Sequence, residues 1–438
     1  MLRRIAADTP LDLEACEFFV RDAVLTGGAG VLRRALECVG RGRRDTQVLC
    51  PRCAHRMKSV GLKSKVLCTI LGDVLFRRSL FVCPHCHATL FPADRRLGVV
   101  HTDFSPGALR MIARAASRVA FVRASEDLAF YANLHVSPKT VERQAERIGE
   151  EIEQWMKRQD AEILRLQRED PTPDTPKTIR SSVLYIEYDG TGVPIRRAEL
   201  AGQKGKQPDG TAITREVKVG CVFTQTTVDD QGRPVRDPHT TTYVGAIEIS
   251  DAFGRRIYAE ALRRDLYRYA RVVIIADGAR YNRSIFAMHF PGATYIIDIY
   301  HAREHLEAAL VLLVPEPLRP RVSDQWNDLL DAGDIETLVI QMKERLPYKP
   351  EKDKLNAIHY FDENKDAMRY AHFKAKGFFL GSGVIEAGCK TVIGRRMKES
   401  GMFWSVSGAN KIIALSCCVE SRRFEDFWEQ RQTENPPK

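Results

Sequence analysis

Two short runs of β-branched and aromatic residues constrain this chain more than any other feature. VLYIEYD (183–189) and VVIIAD (272–277) each close on an aspartate, and each passes at once into glycine. Apolar runs of this length bounded by glycine read as buried strands. A buried strand that ends in a carboxylate delivers it to the edge of a sheet. A third acid, Glu386, stands in GSGVIEAGCK (381–390), which opens a helix-like stretch. There Ser382 can cap the helix, and Gly381, Gly383 and Gly388 let the backbone come close. Lys390 falls one turn after Glu386 on the same face.

The 438 residues are enough for two to four domains, and 44% hydrophobic with 28% charged residues reads as globular. No apolar run approaches the roughly 18 residues a bilayer span needs. The opening MLRRIAADTP has acids and a proline where a secretion signal has an apolar core. The expectation is a cytoplasmic, nucleoid-associated protein without a membrane partner. The 11 cysteines are too few for a disulfide scaffold. The net charge of +10 is uneven: residues 51–100 hold nine Lys and Arg against two Asp and Glu. Such an excess suggests a polyanion partner.

Periodicity and punctuation divide the chain. Residues 1–45 read as one or two helices, 46–100 as a small β-rich module, and 101–168 as helical. Pro171, Pro173 and Pro176 mark a linker at 169–180. From 181 to 431 the pattern is mixed. Strands are expected at 182–188, 214–226 and 240–250, a helix at 252–268, and strands at 271–276 and 293–297. A helical insertion spans about 302–380 and precedes Glu386. Residues 432–438 form a polar tail. The fold class is multidomain α/β, and no internal repeat is present.

Cys50-Pro-Arg-Cys53 and Cys83-Pro-His-Cys86 are two CxxC knuckles. Each tight turn lets both thiolates face one ion, and two pairs complete a tetrahedral zinc site. Strand-like runs at 65–70 and 74–82 make a hairpin that brings the knuckles together, a zinc-ribbon layout. The other seven cysteines read as small buried hydrophobes. Beyond this module, 125–132 reads as a helix capped by Ser125, 133–136 as a turn, and Ser137-Pro138 as the start of a second helix. This helix-turn-helix candidate would present Lys139, Thr140 and Arg143 to a major groove.

Two strand-end aspartates and a helix-borne glutamate suit two-metal phosphoryl transfer. Mg²⁺ (or Mn²⁺) needs oxygen ligands that converge from separate elements. Asp189 and Asp277 converge if their strands are neighbours. Glu187 shares the face of Asp189 by strand parity and competes for its role, whereas Asp209 reads as solvated. Asp298 follows the next strand, with His301 one turn later; together they could orient a scissile strand or support a metal ligand. Arg395, Arg396 and Lys398, followed by Phe403 and Trp404, suit a DNA end on which a base stacks. Trp326 is a second stacking candidate.

The segments YDGTGVP (188–194), GCVFTQT (220–226), GRPVRDP (232–238), DIYHAREHL (298–306), GSGVIEAGCKTVIGRRMKESGMFW (381–404) and GANKIIALSCCVESRRFEDFWEQR (408–431) closely resemble ISKra-type insertion-sequence transposases. The resemblance covers about residues 50–431. It implies a DDE transposase with a ribonuclease-H-like catalytic core, interrupted by a helical insertion and preceded by zinc-ribbon and helical DNA-binding regions. It also implies Asp189, Asp277 and Glu386 as the metal triad, with Asp298 and His301 as a DxxH element. Arg280-Tyr281 departs from the acid and aromatic expected after Asp277-Gly-Ala. The expected partners are double-stranded DNA, as terminal inverted repeats and target, and a second copy of the chain in the DNA complex. The alternative is a decayed or domesticated transposase that binds DNA as a repressor without cutting it.

Overall fold

The computed structural model describes residues 12–40, 48–169, 179–205 and 207–434. The segment read as a linker lies almost wholly outside the described residues, as does the end of the tail. The chain divides into two units, residues 1–148 with 425–438, and residues 149–424.

The first unit opens with a single 28-residue helix, α1 (Leu13–Gly40). Leu36 on its last turns packs with Leu67, Val74, Phe76 and Val99. Its early apolar side chains, Phe18, Phe19, Val20 and Val24, are exposed. Strands β1 (Lys58–Thr69) and β2 (Gly72–Val82) form an antiparallel hairpin, joined by the short β3 (Thr89–Leu90). Gly72 takes a positive φ of 106° at the tight connection, where the Thr69 hydroxyl donates to the Gly72 carbonyl at 2.7 Å. Asp94 on α2 (Pro92–Arg96) is buried and pairs with Lys65 at 3.2 Å and Arg78 at 2.7 Å. Two of the nine basic residues of this region are therefore paired inside the unit, sharing one carboxylate that offsets a single charge. Helix α3 (Pro106–Ala116) is capped by Ser105, whose Oγ accepts from the Ala108 amide. Helix α4 (Phe121–Ala132) follows, then α5 (Pro138–Glu169), much longer than its sequence signal. The capping role expected of Ser125 is corrected: α4 begins a turn earlier, and Ser125 instead donates to the Val136 carbonyl at 2.5 Å. This bond ties the turn after α4 back onto the helix.

The second unit is built on a six-stranded sheet. Its strands are β4 (Arg180–Pro194), β5 (Thr214–Val228), β6 (Pro234–Arg236) and β7 (Thr242–Ala246). After α6 (Ser250–Arg263) come β8 (Tyr269–Ala276), α7 (Arg280–His289) and β9 (Thr294–Ile297). The order is β6-β5-β4-β8-β9, with β7 also on β5. β5 runs antiparallel to β4, while β8 and β9 run parallel to it. The run 183–188 is buried throughout, as are 273–276 of β8 and 295–297 of β9. That continuity is what strands inside a helix-covered parallel region need. β4 does not stop at Asp189 but continues to Pro194, paired with β5 along the whole extension.

The insertion comprises α8 (Ile299–Leu313), α9 (Arg319–Ala332), α10 (Ile335–Lys343), α11 (Lys352–Asn364) and α12 (Tyr370–Ala375). Its core holds Trp326, Leu330, Leu338, Met342 and Phe361. Trp326 is fully buried and its indole N–H donates to Gln341 at 3.1 Å, so it offers no stacking face. The chain then forms α13 (Gly383–Gly388), a π-helical turn (Cys389–Gly394), α14 (Arg395–Met397), α15 (Val406–Glu420) and α16 (Phe424–Glu434).

The second unit's part of α5 meets α15 backbone to backbone. A Cβ at Gly149 would lie 2.2 Å from the Lys411 carbonyl oxygen. Gly149→Ala must push the two helices apart, with an expected loss of about 1–3 kcal/mol by urea denaturation; unchanged stability would mean that the contact yields freely.

Candidate functional site

The two knuckles fold alike. In the first, Ala54 N–H donates to Cys50 O and Cys50 N–H to His55 O; in the second, His87 donates to Cys83 and Cys83 to Ala88. Ala54 and His87 both take left-handed φ values, 58° and 57°. The Cys50–Cys86 and Cys53–Cys86 sulfurs lie 3.4 Å apart and the Cys53–Cys83 sulfurs 3.5 Å. Four thiolates around one Zn²⁺ at ~2.3 Å would sit about 3.8 Å apart, so a small outward movement admits the ion. Cys50, Cys53, Cys83 and Cys86 therefore form a cluster that could hold zinc. His55 and His85 stack face to face at 4.2 Å and, with Cys53, form an overlapping group of ligand atoms. Metal analysis should return about one zinc per chain. Cys83→Ser should lose it and lower the thermal transition of the first unit; a metal-free protein of unchanged stability would remove the ion.

Helices α4 and α5 are joined through Asn133, in the left-handed region at φ 51°, and the buried Leu134. Ser137 caps α5 by accepting from the Thr140 amide at 3.2 Å. Lys139 and Arg143 are exposed on its first turns, with Lys139 2.8 Å from Glu142; Thr140 is half-buried against Ser137.

The acids gather at one edge of the second unit's sheet. In the parallel pairing of β4 with β8, Glu187 stands opposite Ile275. Asp189 and Asp277 each follow this last pair by two residues, and the charge of Asp277 acts on Asp189. In the pairing of β8 with β9, Ala276 stands opposite Ile297. One step on, Asp277 is level with Asp298. Three neighbouring strands thus carry an aspartate within or just after them, Asp189 in β4, Asp277 after β8 and Asp298 after β9. Asp189 accepts from its neighbour's amide, Gly190 N–H, at 2.6 Å. Its carboxyl is raised above the ordinary range by burial first, then by the charges of Asp277 and Glu386, with His301 opposing. Asp277 accepts from the Ala279 amide at 2.9 Å and from the buried Asn282 side chain at 2.5 Å. Glu386 is half-buried on α13. Lys398 brings its ammonium to Thr191 Oγ1, 2.5 Å away on the β4 extension, and within the field of Asp189. His301 is half-buried on α8, its Nδ1 3.4 Å from Glu304. Lys390, Arg395 and Arg280 are exposed. Among the described residues, groups of three or more ligand atoms lying within 4.8 Å of one another occur only in the cysteine region. The acids around Asp189 stand further apart than that.

Several sequence expectations change here. Arg396 is fully buried, its guanidinium 5.2 Å from the Trp404 ring, so it does not face a DNA strand. Trp404 is itself buried, its indole N–H bonded to the Met397 carbonyl at 3.0 Å, which removes it as a stacking platform; Phe403 is the exposed ring. Ser382 does not cap α13 with its side chain. Asp298 is fully buried and its oxygens serve Tyr300 and Ser382, so it is not free to hold a strand or an ion. Glu187 is not a rival to Asp189: it is fully buried and accepts from the Ile385 amide at 2.8 Å.

Sequence reading missed Asn282 and Tyr360. Tyr360 comes from the insertion helix α11, stacks on His305 at 3.8 Å and lies over Gly278, where a Cβ would meet its ring at 2.5 Å. Only the glycine after Asp277 hinted at such a close approach. Gly278→Ala should shift Tyr360 and destabilise the second unit by about 1–3 kcal/mol. Tyr360→Ala should relieve part of that in the double variant, measured by urea denaturation.

Burial pushes the Glu187 carboxyl up to about 8; the Ile385 amide acts against this, and Asp298 adds to it. The folded chain then keeps a proton that the unfolded chain, titrating near 4.5, has released. This contribution to stability is complete below the unfolded value and is lost as pH rises towards 8. Glu187→Gln cannot titrate, so in EDTA its stability should fall less than wild type between about pH 5 and pH 8. Parallel pH curves would contradict this.

No protein-family model matches the chain. A curated relative, the UPF0236 protein in the vanSb 3′ region of Streptococcus gallolyticus, is 22% identical over 377 residues, 84% of this chain and 75% of that protein. Among solved structures, the Drosophila P element transposase strand transfer complex covers 77% of this chain and 83% of its own, at a TM-score of 0.21 and 10% identity. That superposition is too loose to bear on fold or mechanism. Among the described residues no helix is long and apolar enough to cross a membrane.

Proposed function

We propose that this chain is a metal-dependent DNA transposase of the DDE type. The observation that carries the reading is the register of β4 on β8, whose last pair, Glu187 with Ile275, stands two residues before Asp189 and Asp277, with Glu386 on a helix bonded to that sheet. The sheet order supports a ribonuclease-H-like core: an antiparallel set, β6-β5-β4, is followed by β8 and β9 parallel to β4. The helices of 299–375 then form the insertion before Glu386. The resemblance of the quoted segments to ISKra-type transposases points the same way.

Asp189, Asp277 and Glu386 would hold the divalent ions, Mg²⁺ or Mn²⁺. The donor set fits them: the Asp189 carboxyl is raised by burial first and then by the charges of Asp277 and Glu386, a cost that a cation relieves. Such ions supply activation of the attacking oxygen and neutralisation of the leaving oxygen in phosphodiester cleavage. Asn282 and the Ala279 amide hold the Asp277 carboxylate in one orientation. Lys398, beside Asp189, and the exposed Lys390 and Arg395 would take phosphates of the bound strand. His301 adds positive charge near Asp189 when protonated. In the first unit the four-cysteine cluster would be the zinc centre of a ribbon, and α4 and α5 the helix-turn-helix, with Lys139, Thr140 and Arg143 towards DNA. Joining two element ends implies at least two copies in the DNA complex.

Incubated with Mg²⁺ and a duplex carrying the terminal repeats that flank its gene, the protein should nick at the element end and join the freed 3′-hydroxyl to target DNA. Asp189→Asn and Asp277→Asn should each abolish nicking while leaving DNA binding intact. Cleavage by the Asp189 variant would remove this residue from the mechanism. Tight binding by the wild type with no cleavage at any divalent concentration would point to the repressor alternative.

A further inference from the structure

The segment that carries Glu386 is held by two acids the proposed chemistry does not use. Glu187 and Asp298 are both fully buried. Glu187 Oε2 accepts from the Ile385 amide at 2.8 Å, one residue before Glu386. Asp298 Oδ2 accepts from the Ser382 amide at 2.7 Å and also from the Ser382 hydroxyl, while its Oδ1 accepts from Tyr300 at 2.7 Å and so starts α8. Beside these bonds the Ile299 amide donates to the Leu380 carbonyl at 3.0 Å. The two acids come from β4 and from the residue after β9, the strands on either side of β8, which ends one residue before Asp277.

Helix α13 has six residues and runs into a π-helical turn. A helix this short does not fix its own position; tertiary bonds do. Its first amides lack intrahelical partners, and two of them, Ser382 and Ile385, point into the two buried acids instead. Burying two acids is expensive, and an apolar side chain of similar volume would cost less. What the acids add is direction: bonds at two points three residues apart set both the height and the rotation of the turn bearing Glu386.

We propose that Glu187 and Asp298 are positioning residues that clamp α13 to the sheet and thereby aim Glu386 at Asp189 and Asp277. The inference rests on the metal-site reading above. Neither acid is itself an ion ligand. Asp298 already serves three donors, and Glu187 is closed off from solvent.

The test uses the full chain and three readouts: amide hydrogen exchange across 382–388 in EDTA, Mn²⁺ affinity, and the Mg²⁺ concentration for half-maximal nicking. Glu187→Met should speed exchange at Ile385 and weaken Mn²⁺ roughly 10–100-fold, the range seen when partners of metal ligands are removed. Nicking should return at high Mn²⁺. Glu187→Gln keeps an oxygen acceptor for Ile385 and should behave as wild type. Should Glu187→Met fail to fold, Ser382→Ala, which removes one bond to Asp298, should give the same changes in smaller measure. Unchanged exchange and Mn²⁺ affinity in a folded Glu187→Met, or in Ser382→Ala, would overturn the clamp. So would a Glu187→Gln as defective as Glu187→Met, because an oxygen acceptor for the Ile385 amide would then not be what matters. Asp189→Asn, run in parallel, separates the two ideas. If it leaves Mn²⁺ binding intact, the metal-site reading fails and the clamp to Glu386 fails with it as a functional device. If Asp189→Asn loses Mn²⁺ while the clamp variants do not, the clamp alone is wrong.

Discussion

The parallel pairing of β4 with β8 is the constraint on which the second unit's site depends. Side chains alternate faces along a strand, so a slip of one residue would turn Asp189 away from Asp277 and bury a charge elsewhere. The register is supported by burial: over 183–188 and 273–276 both strands are buried on both faces, and Glu187 is the one carboxylate in those runs. Its antiparallel partner β5 follows β4 all the way to Pro194. The extension places Thr191 where Lys398 reaches it, and so sets a cation beside the acids.

A second constraint acts on the acids from below. Glu187 and Asp298 lie in the dry interior, and Asp189, Asp277 and Glu386 are half-buried above them. The dry pair is held by backbone amides and a hydroxyl, with Glu187 Oε1 left without a hydrogen-bond partner. In the wetter set Asp189 is raised by burial and by the charges of Asp277 and Glu386. One sheet edge thus carries acids of two kinds, separated by burial and not by residue type. The helical insertion closes over the same edge through Tyr360, which rests on Gly278 next to Asp277.

The knuckles, the central strands and the acids of the second unit were legible because each rests on local chemistry. A CxxC turn needs only four residues, and a buried strand announces itself by continuous apolar character. Legibility failed wherever a side chain's environment is assembled from distant segments. Arg396 and Trp404 read as a basic and aromatic DNA surface, yet both are buried and the guanidinium lies against the ring. Trp326 read as an exposed ring and fills the core of the insertion. Residues 1–45 read as helical, yet Phe18, Phe19, Val20 and Val24 of α1 are exposed, because helical spacing reveals a face but not what lies against it. Glu187 read as a competitor for Asp189 by strand parity, which is correct for the face and silent on depth.

By itself the sequence determined the strand runs and the aspartates at or near their ends, the cysteine pairs, and the glycines that permit close approach, since these follow from a few adjacent residues. The tertiary structure alone decided which acids are level with one another, which are sealed inside, and what holds the short helix of Glu386. Those are questions of register and burial, and both depend on partners more than eighty residues away, such as Ser382 on Asp298 and Ile385 on Glu187.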